Sequence, residues 1–301
     1  MTSLRVGFIG FGEVASVLAG PLCAHGASVS AYDVLLDRGG VQALEKRAGA
    51  LDVRFRPLAE LTADADHLLS TVTTDAAVGA ARACAGHLRP GQVYLDLNST
   101  APSVKIEIER IVRPSGAAFV EGAILGAVGA TGARTRILTG GPHGREVAET
   151  LAASGLRVAY YSPVVGQAST FKMLRSIFSK GLEALILELR LAGRRAGIER
   201  DLWDDVLELM TESPFERVAG NWVRTHAVAS ARRHAEMAQV METMRELGIE
   251  PVMTAATLAF FARSRALPWA DTFAEKPDSV DAVVTFLAER AGTPAGATES
   301  P

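Results

Sequence analysis

One stretch of the chain carries a lysine and several hydroxyl side chains at helical spacing. The segment 166–197 is predicted as one long helix, because its apolar residues recur at the three- and four-residue intervals of a helical face. A second, polar stripe runs along the same segment: Ser169, Lys172, Ser176, then Ser179 or Lys180, and then Glu183. A lysine on the wall of a cleft could transfer a proton. The pattern is equally compatible with a core helix whose polar edge faces solvent.

A second group of small polar residues follows a predicted strand. The run 93–97 is predicted as a buried strand, and it leads directly into Asn98, Ser99 and Thr100. Pro102 then suits the first turn of a helix. Hydroxyls and loop N–H groups at the carboxyl end of a strand could hold a carboxylate or an oxyanion. Simple helix capping would explain the same residues equally well.

The beginning of the chain has the spacing of a dinucleotide-binding loop. The predicted strand 4–9 leads into G-x-G-x-x-A, and a helical pattern follows. Gly10 permits a tight turn, Gly12 lets the backbone approach a pyrophosphate, and Ala15 lets the helix pack closely on the sheet. The residues of this loop that are predicted to bind the cofactor are consecutive: Gly10, Phe11, Gly12, Glu13, Val14 and Ala15.

Two further strand ends complete the predicted cofactor site. Asp33 ends the next strand, where its carboxylate could accept hydrogen bonds from a ribose diol. A carboxylate there repels a 2′-phosphate, which favours NAD, although the nearby Arg38 leaves NADP possible. The strand 67–72 should bring its carboxyl end to the same edge of the sheet. Val72, Thr73 and Thr74 at this end are predicted to border the cofactor, together with Asn98 after the strand 93–97.

The order of the predicted elements indicates the fold class. Strands and helices alternate up to residue 163, which predicts an α/β, Rossmann-type doubly wound sheet. Residues 164–290 have only helical patterns and are predicted as an all-α substrate and dimerisation domain that begins with the long helix. Residues 291–301 are predicted as a flexible tail. After the long helix, five helices are predicted: 200–210, 214–222, 232–247, 251–264 and 279–290.

Composition narrows the possible functions. The formal net charge of −3 provides no basic field for nucleic acid or for an anionic membrane. No apolar run reaches the ~20 residues that span a bilayer, and the start lacks the architecture of a signal peptide. We therefore expect a cytoplasmic protein without membrane or nucleic-acid partners. Cys23 and Cys84 are predicted as reduced thiols, and no metal site is expected because the histidines are scattered.

Four segments together resemble the β-hydroxyacid dehydrogenase family, which includes 6-phosphogluconate and 3-hydroxyisobutyrate dehydrogenases. GFIGFGEVA is similar to the family's cofactor loop, and DLNSTAP to its D-x-S-T-x-x-P substrate loop. FVEGAILGAVGATGARTRILTGG is similar to its D-A-P-V-S-G-G segment. GQASTFKMLRS is similar to its G-x-G-x-x-x-K-x-x-x-N helix. The second half looks most like a subgroup whose C-terminal helical domain has no assigned function.

The resemblance implies roles for individual residues. Ser99 and Thr100 match the substrate-binding positions, and Lys172 matches the position that does the chemistry. Two departures concern the substrate, because Leu125 stands where the family has the serine of S-G-G and Ser176 stands where it has asparagine. Both changes favour a bulkier or less polar β-substituted substrate. The resemblance also implies a homodimer formed through the helical domain.

These observations predict reversible hydride transfer between nicotinamide and a β-hydroxy acid or related alcohol, with Lys172 as general acid/base. Ser176 and Lys180 would face the same substrate pocket. An imine reductase on the same scaffold is the nearest alternative, although such relatives usually lack lysine at this position. A dinucleotide-binding sensor without turnover is another alternative. Arg233 and His234 could bind a substrate anion, but a solvated helix face is the simpler interpretation.

Overall fold

A computed structural model describes residues 3–290 of the chain. The strands, in chain order, are β1 Arg5–Ile9, β2 Ser28–Tyr32, β3 Val53–Phe55, β4 His67–Ser70, β5 Val93–Asp96, β6 Ala118–Leu125, β7 Arg136–Gly140 and β8 Val158–Ser162. The helices up to the long one are α1 Glu13–Ala24, α2 Val34–Asp37, α3 Val41–Ala48, α4 Leu58–Asp64, α5 Ala77–Ala85, α6 Pro102–Val112, α7 Val128–Thr131 and α8 Gly144–Ala153. The remaining helices are α9 Gln167–Ala196, α10 Glu199–Thr211, α11 Phe215–Glu246, α12 Val252–Arg265, α13 Trp269–Thr272 and α14 Val280–Arg290.

The strands form one sheet in the order β3-β2-β1-β4-β5-β6-β7-β8. The pairs from β3 to β6 are parallel, β6 and β7 are antiparallel, and β7 and β8 are parallel again. The chain order reverses between β1 and β4, which is the switch point where doubly wound sheets bind ligands. The predicted Rossmann-type sheet is confirmed, with two reversed strands added at one edge.

The sheet is buried between two layers of helices. One apolar cluster contains Phe8, Leu18 and Leu22, and it packs α1 against the sheet. A second cluster contains Leu68, Tyr94 and Ile108, and it covers the opposite face with α4, α5 and α6. Parallel strands covered on both faces need apolar side chains in near-continuous runs, which explains the short buried runs of the first half. This packing fixes the carboxyl ends of β1, β4 and β5 side by side.

The chain divides into two compact units, the first ending at Phe178 and the second beginning at Ser179. The division falls inside α9 and not ahead of it, where residue 164 was predicted to open the helical domain. The predicted tail lies outside the described residues. Among residues 3–290, no helix combines the length and the apolar character needed to cross a membrane.

The described part of the second unit is helical, as predicted, with one correction. The predicted helices 214–222 and 232–247 are a single helix, α11. The prediction was wrong because no glycine or proline interrupts residues 223–231, and a helical backbone continues where no residue stops it. Trp269 and Phe286 stack at 4.3 Å between ring centroids in the core of this unit.

Candidate functional site

The glycine loop after β1 has the geometry that its sequence predicts. Gly10 has φ +86°, and a Cβ atom there would lie 2.9 Å from the carbonyl oxygen of Thr71. Gly12 is the N-cap of α1. Because glycine has no side chain that could cap the helix, the first N–H groups of α1 keep their donor capacity. A Cβ atom at Gly12 would meet nothing within 4 Å. The loop therefore presents open backbone to an approaching anion.

Asp33 closes this loop from the neighbouring strand. Its Oδ2 accepts a hydrogen bond from the N–H of Phe11 at 2.9 Å, and its Oδ1 accepts one from the N–H of Leu35 at 3.0 Å. Arg47 donates from Nη1 to the carbonyl oxygen of Phe11 at 2.5 Å. Each carboxylate oxygen can still accept a second hydrogen bond. Asp33 is thus oriented by the protein and able to accept from a ribose.

Two cavities in the first unit meet at the end of β4. The Asp33 cavity is lined by Ile9, Gly10, Gly12, Tyr32, Asp33, Val34, Leu58, Thr71, Val72, Thr73, Ala76, Gly79, Ala80 and Ala83. The Lys172 cavity is lined by Glu13, Val14, Thr71, Val72, Thr73, Thr74, Leu97, Asn98, Ser99, Ile124, Gly126, Val128 and Lys172. Three residues, Thr71 to Thr73, belong to both linings.

The residues present fit a dinucleotide. The two cavities lie on either side of the open N-terminus of α1, with Gly12 in one lining and Glu13 in the other. One cavity contains the oriented Asp33 carboxylate, which suits a ribose diol. The other contains the lysine, where the reactive end of the dinucleotide would meet a substrate. Most of the residues predicted for the cofactor line one cavity or both.

Lys172 and Ser99 meet at the rim of the Lys172 cavity. Lys172, in the second turn of α9, donates from Nζ to Oγ of Ser99 at 2.5 Å. Burial is the main cause that lowers the pKa of Lys172 to about 8, and the positive charge of Lys105 acts in the same direction. A lysine with this pKa is available both as an acid and as a base near neutral pH.

A buried carboxylate fixes the helix that carries Lys172. Glu121 on β6 accepts hydrogen bonds at Oε1 from the N–H groups of Gly166 and Ala168, at 2.8 and 3.0 Å. Its Oε2 accepts from the Oγ of Ser169 at 2.7 Å. These groups are the free donors at the start of α9, and a carboxylate there also opposes the positive end of the helix dipole. Gly140 gives it room, because a Cβ atom there would lie 2.4 Å from Oε1 of Glu121.

A buried ion pair lies beneath the loop that carries Ser99. Lys105 on α6 is 1% exposed, and its Nζ lies 2.7 Å from Oδ2 of Asp96, which is 0% exposed. Asn98 donates from Nδ2 to Oγ of Ser70 at 2.9 Å and also to Oδ1 of Asp96. The ends of β4 and β5 are thereby connected through side chains. None of this network was predicted from the sequence.

Several predicted site residues lie elsewhere. Thr100 is buried and does not belong to either cavity lining. The Oγ of Ser176 donates to the carbonyl oxygen of Lys172 within its own helix, at 3.0 Å. Lys180 belongs to the second unit, where it pairs with Glu183 at 3.1 Å. Their roles in substrate binding stay predictions. The side chains of Phe11 and Ala15 are buried in the core, so only their backbone could meet a cofactor.

The Arg233 and His234 pair lies on α11 in the second unit. Arg233 donates from Nη2 to Oγ1 of Thr225 at 2.7 Å and from Nη1 to the carbonyl oxygen of Trp222 at 3.1 Å. The guanidinium therefore bonds along its own helix. These contacts are typical of a structural surface arginine.

Comparison with known proteins decides the family. Residues 5–161, just over half of the chain, match the NAD binding domain of 6-phosphogluconate dehydrogenase. Residues 194–264 match a domain of unknown function that follows it. The chain belongs to the β-hydroxyacid dehydrogenase family. It is a member of the subgroup with a helical C-terminal domain of unassigned function, and it is an NAD(P)-dependent oxidoreductase.

Individual relatives match most of this chain. The chain is 22% identical over 283 residues to 2-(hydroxymethyl)glutarate dehydrogenase from Eubacterium barkeri, covering 88% of this chain and 90% of the relative. A solved protein of unknown function, described as structurally similar to 3-hydroxyacid dehydrogenases, is 32% identical with a TM-score of 0.59 and covers 87% and 97% of the two chains.

The same fold also occurs in enzymes with different chemistry. An imine reductase from Myxococcus stipitatus, solved with NADP⁺, has a TM-score of 0.74 at 16% identity and covers 94% of this chain and 99% of that chain. At such low identity the likeness shows the fold alone. The dehydrogenase family membership therefore rests on the sequence matches.

The network beneath the loop had only indirect signals in the sequence. The glutamate of FVEGAILG and the paired glycines of LTGG could have indicated Glu121, because a glycine on a neighbouring strand makes room for a buried side chain. Lys105 lies in an ordinary amphipathic helix pattern, where a lysine is expected at the surface. Its burial results from the packing of α6 against β5 and β6, which the helix pattern does not indicate.

Proposed function

We propose that this dehydrogenase transfers a hydride between nicotinamide and a β-hydroxy acid or a related alcohol and carbonyl pair, with Lys172 as general acid/base. The observation that carries the proposal is the contact of Lys172 Nζ with Ser99 Oγ on the wall of a cavity that begins at the glycine loop. A proton donor and a hydroxyl then converge where the cofactor's reactive end would lie. The relative 2-(hydroxymethyl)glutarate dehydrogenase supports the same reaction class.

The proton chemistry follows from the position and the pKa of Lys172. When bound, the dinucleotide supplies or accepts the hydride. Lys172 as a neutral amine removes the hydroxyl proton of an alcohol, and as an ammonium it protonates the oxygen of a carbonyl that is being reduced. Its pKa of about 8 keeps both forms populated close to neutral pH. Ser99 accepts a hydrogen bond from the ammonium and thereby holds Nζ at the rim.

The substrate is proposed to be an anion with an apolar β-substituent. Ser99, Thr100 and the N–H groups of their loop would hold a carboxylate, and Ser176 and Lys180 would extend this polar surface. The lining of the Lys172 cavity also contains the apolar residues Val14, Ile124 and Val128. An apolar wall favours a substituent larger and less polar than that of a short hydroxy acid.

The cofactor is proposed to be NAD, with NADP as the weaker ligand. Asp33 would repel a 2′-phosphate at the ribose, as the sequence predicts. Titration of the two reduced cofactors by protein fluorescence measures this preference directly. Tighter binding of NADPH than of NADH would contradict it.

We propose that residues 164–290 form the substrate and dimerisation domain and that the protein is a homodimer. The second unit exposes large apolar side chains on α9, including Leu185, Leu187 and Leu191, which are 44%, 65% and 50% exposed. Apolar surface of this kind is typical of a subunit interface. Light scattering after gel filtration would give a mass of two chains, and a stable single-chain mass at micromolar concentration would contradict the proposal.

The test measures reduced-nicotinamide absorbance over a panel of β-hydroxy acids and alcohols, with wild type beside Lys172→Met. We expect turnover of at least one substrate and a loss of about a hundredfold or more in kcat, with unchanged cofactor binding. Lys46→Met is the matched control, because Lys46 is an exposed lysine in the last turn of α3. Equal rates for Lys172→Met and wild type would remove Lys172 from the mechanism.

Two other functions predict different results in the same assay. An imine reductase would reduce cyclic imines and leave the hydroxy acids unchanged. A dinucleotide sensor would bind NADH and turn over nothing. Measuring cofactor binding and imine reduction beside the hydroxy-acid panel therefore separates the three functions.

A further inference from the structure

Three buried charged side chains lie together in the first unit. Asp96 on β5 and Glu121 on β6 are register partners on adjacent parallel strands, and both are 0% exposed. Lys105 on α6 is 1% exposed, and the charges of both carboxylates act on it. A fully buried lysine is rare, and its desolvation is costly unless it is paired and hydrogen-bonded. The desolvation of Lys105 must therefore be offset by its contacts.

The contacts of Lys105 all go to acceptors at the end of β5 and on β6. Its Nζ lies 2.7 Å from Oδ2 of Asp96, 2.9 Å from the carbonyl oxygen of Asp96 and 2.7 Å from the carbonyl oxygen of Asn98. The carbonyl oxygen of Gly122 lies farther away, at 3.4 Å. An ammonium has three protons, and the three short contacts use all of them. A neutral amine would direct a lone pair at one of these oxygens, so the set of acceptors selects the charged form.

The segment that Lys105 holds is the one that presents Ser99. The carbonyl oxygens of Asp96 and Asn98 point inward and bond to Nζ, whereas Ser99 between Asn98 and Thr100 remains exposed. From the other side, the ammonium of Lys172 donates to the hydroxyl of Ser99. One lysine therefore fixes the loop from the interior, and the other contacts it from the cavity.

We propose that Lys105 is a positioning residue for Lys172, because its buried ammonium holds the turn Asp96–Asn98 so that Ser99 meets Nζ of Lys172 at the cavity wall. It does not contact the cavity, since all its short hydrogen bonds are internal. The inference deepens the proposed function and rests on it, because it concerns the same proton-transferring lysine.

The electrostatics support this geometry. The charge of Lys105 lowers the pKa of Lys172, second only to burial, and Asp96 opposes it more weakly. The positive charge of Lys105 disfavours the ammonium form of Lys172 and so brings the pKa of Lys172 closer to neutral pH. The same interior residue thus orients the acid/base group and tunes its proton affinity.

The first measurement is an NMR titration of the full chain labelled with [ε-¹³C]lysine. The chain has five lysines, so each signal can be assigned from a single substitution. We expect the Lys172 signal to titrate near pH 8. Over the same pH range, the chemical shift of Lys105 should remain that of an ammonium group. Titration of Lys172 together with the exposed lysines would overturn the proposal without any variant.

The second measurement repeats the titration in Lys105→Met. We expect the Lys172 midpoint to move to higher pH, whereas Lys46→Met, the exposed control, should leave it unchanged. Asp96→Asn/Lys105→Met leaves no unpaired buried charge, and it should move the midpoint in the same direction by less. A purely structural role for Lys105 would leave the midpoint in place in any variant that folds, and that result would overturn the proposal.

Activity provides a third and separate test. With a substrate from the panel, Lys105→Met should lower kcat by about ten- to a hundredfold, the range expected when a reacting group is displaced by about an ångström. The dissociation constant for NADH should not change. The titrations need no substrate, so they test the role of Lys105 even if no hydroxy acid of the panel turns over. A shifted Lys172 midpoint in Lys105→Met with unchanged kcat would instead remove Lys172 from the chemistry.

Discussion

Two lysines approach the same loop from opposite sides and have opposite properties. Lys105 comes from α6 through the protein interior and satisfies all its protons with short hydrogen bonds. Lys172 comes from α9 at the cavity rim and contacts one hydroxyl, Oγ of Ser99. Burial lowers the pKa of both. The two lysines therefore differ in their hydrogen bonds and not in the sign of their pKa shift. Lys105 has all three protons in short hydrogen bonds, whereas Lys172, the proposed acid/base, has one such bond to a side chain.

The largest expected effect separates the two lysines by stability. Lys105→Met leaves Asp96 buried without its counter-charge, and it should lower the free energy of unfolding by about 3–5 kcal/mol. Lys172→Met removes a partly desolvated charge and should stay within about 0.5 kcal/mol of wild type. Urea denaturation followed by circular dichroism measures both. Equal losses would mean that the two lysines play the same structural part.

The next effect concerns the anchor of the helix that carries Lys172. Glu121→Gln turns an amide NH₂ toward backbone N–H donors and should cost about 1.5–3 kcal/mol, the usual value of a hydrogen bond to a charged group. Lys172, the proposed acid/base, lies one turn beyond Ser169, so kcat should fall as well. Glu60→Gln, an exposed glutamate on α4, is the control. Full stability in Glu121→Gln would show that the start of α9 is fixed by other contacts.

These interior charges also mark where prediction from sequence stops. The glycine loop, Asp33, Ser99 and Lys172 could be predicted because a local spacing specifies each of them. The burial of Lys105 and Glu121 depends on contacts between elements that are far apart in sequence. No local sequence pattern indicates these contacts. A charged residue in a helix is ordinarily solvated, so its burial is decided by tertiary packing alone.

The predicted bounds of one helix were wrong for a related reason. Helix α11 is continuous through 223–231, where the sequence lacks a stop signal but also lacks a clear apolar stripe. The chain divides within α9, since packing on each part of a long helix and not its local pattern defines a compact unit. The type of each long element was predictable, whereas the continuity of α11 was not.

The pH dependence sharpens the comparison through Lys172. Because the pKa of Lys172 is lowered to about 8, kcat/KM for alcohol oxidation should rise about tenfold per pH unit below pH 8 and level off above it. Carbonyl reduction should show the reverse, since it needs the ammonium. Rates measured from pH 6 to 10 test this. If the rise of kcat/KM with pH persists in Lys172→Met, another group is responsible for the pH dependence.

The smallest effects come from the two hydroxyls of the loop. Ser99→Ala removes the acceptor for the Lys172 ammonium at an exposed position, and it should lower kcat/KM by up to about tenfold. Thr100→Val removes a buried hydroxyl for which the described part of the structure offers no hydrogen-bond partner. That change should leave stability unchanged or raise it by about 1 kcal/mol, because no bond is lost and a polar group is removed from the interior. If Thr100 binds substrate, as the family resemblance implies, Thr100→Val will raise KM with unaltered stability. A KM equal to wild type would leave Ser99 as the loop's only hydroxyl in contact with the substrate and would assign Thr100 to the interior beside Lys105.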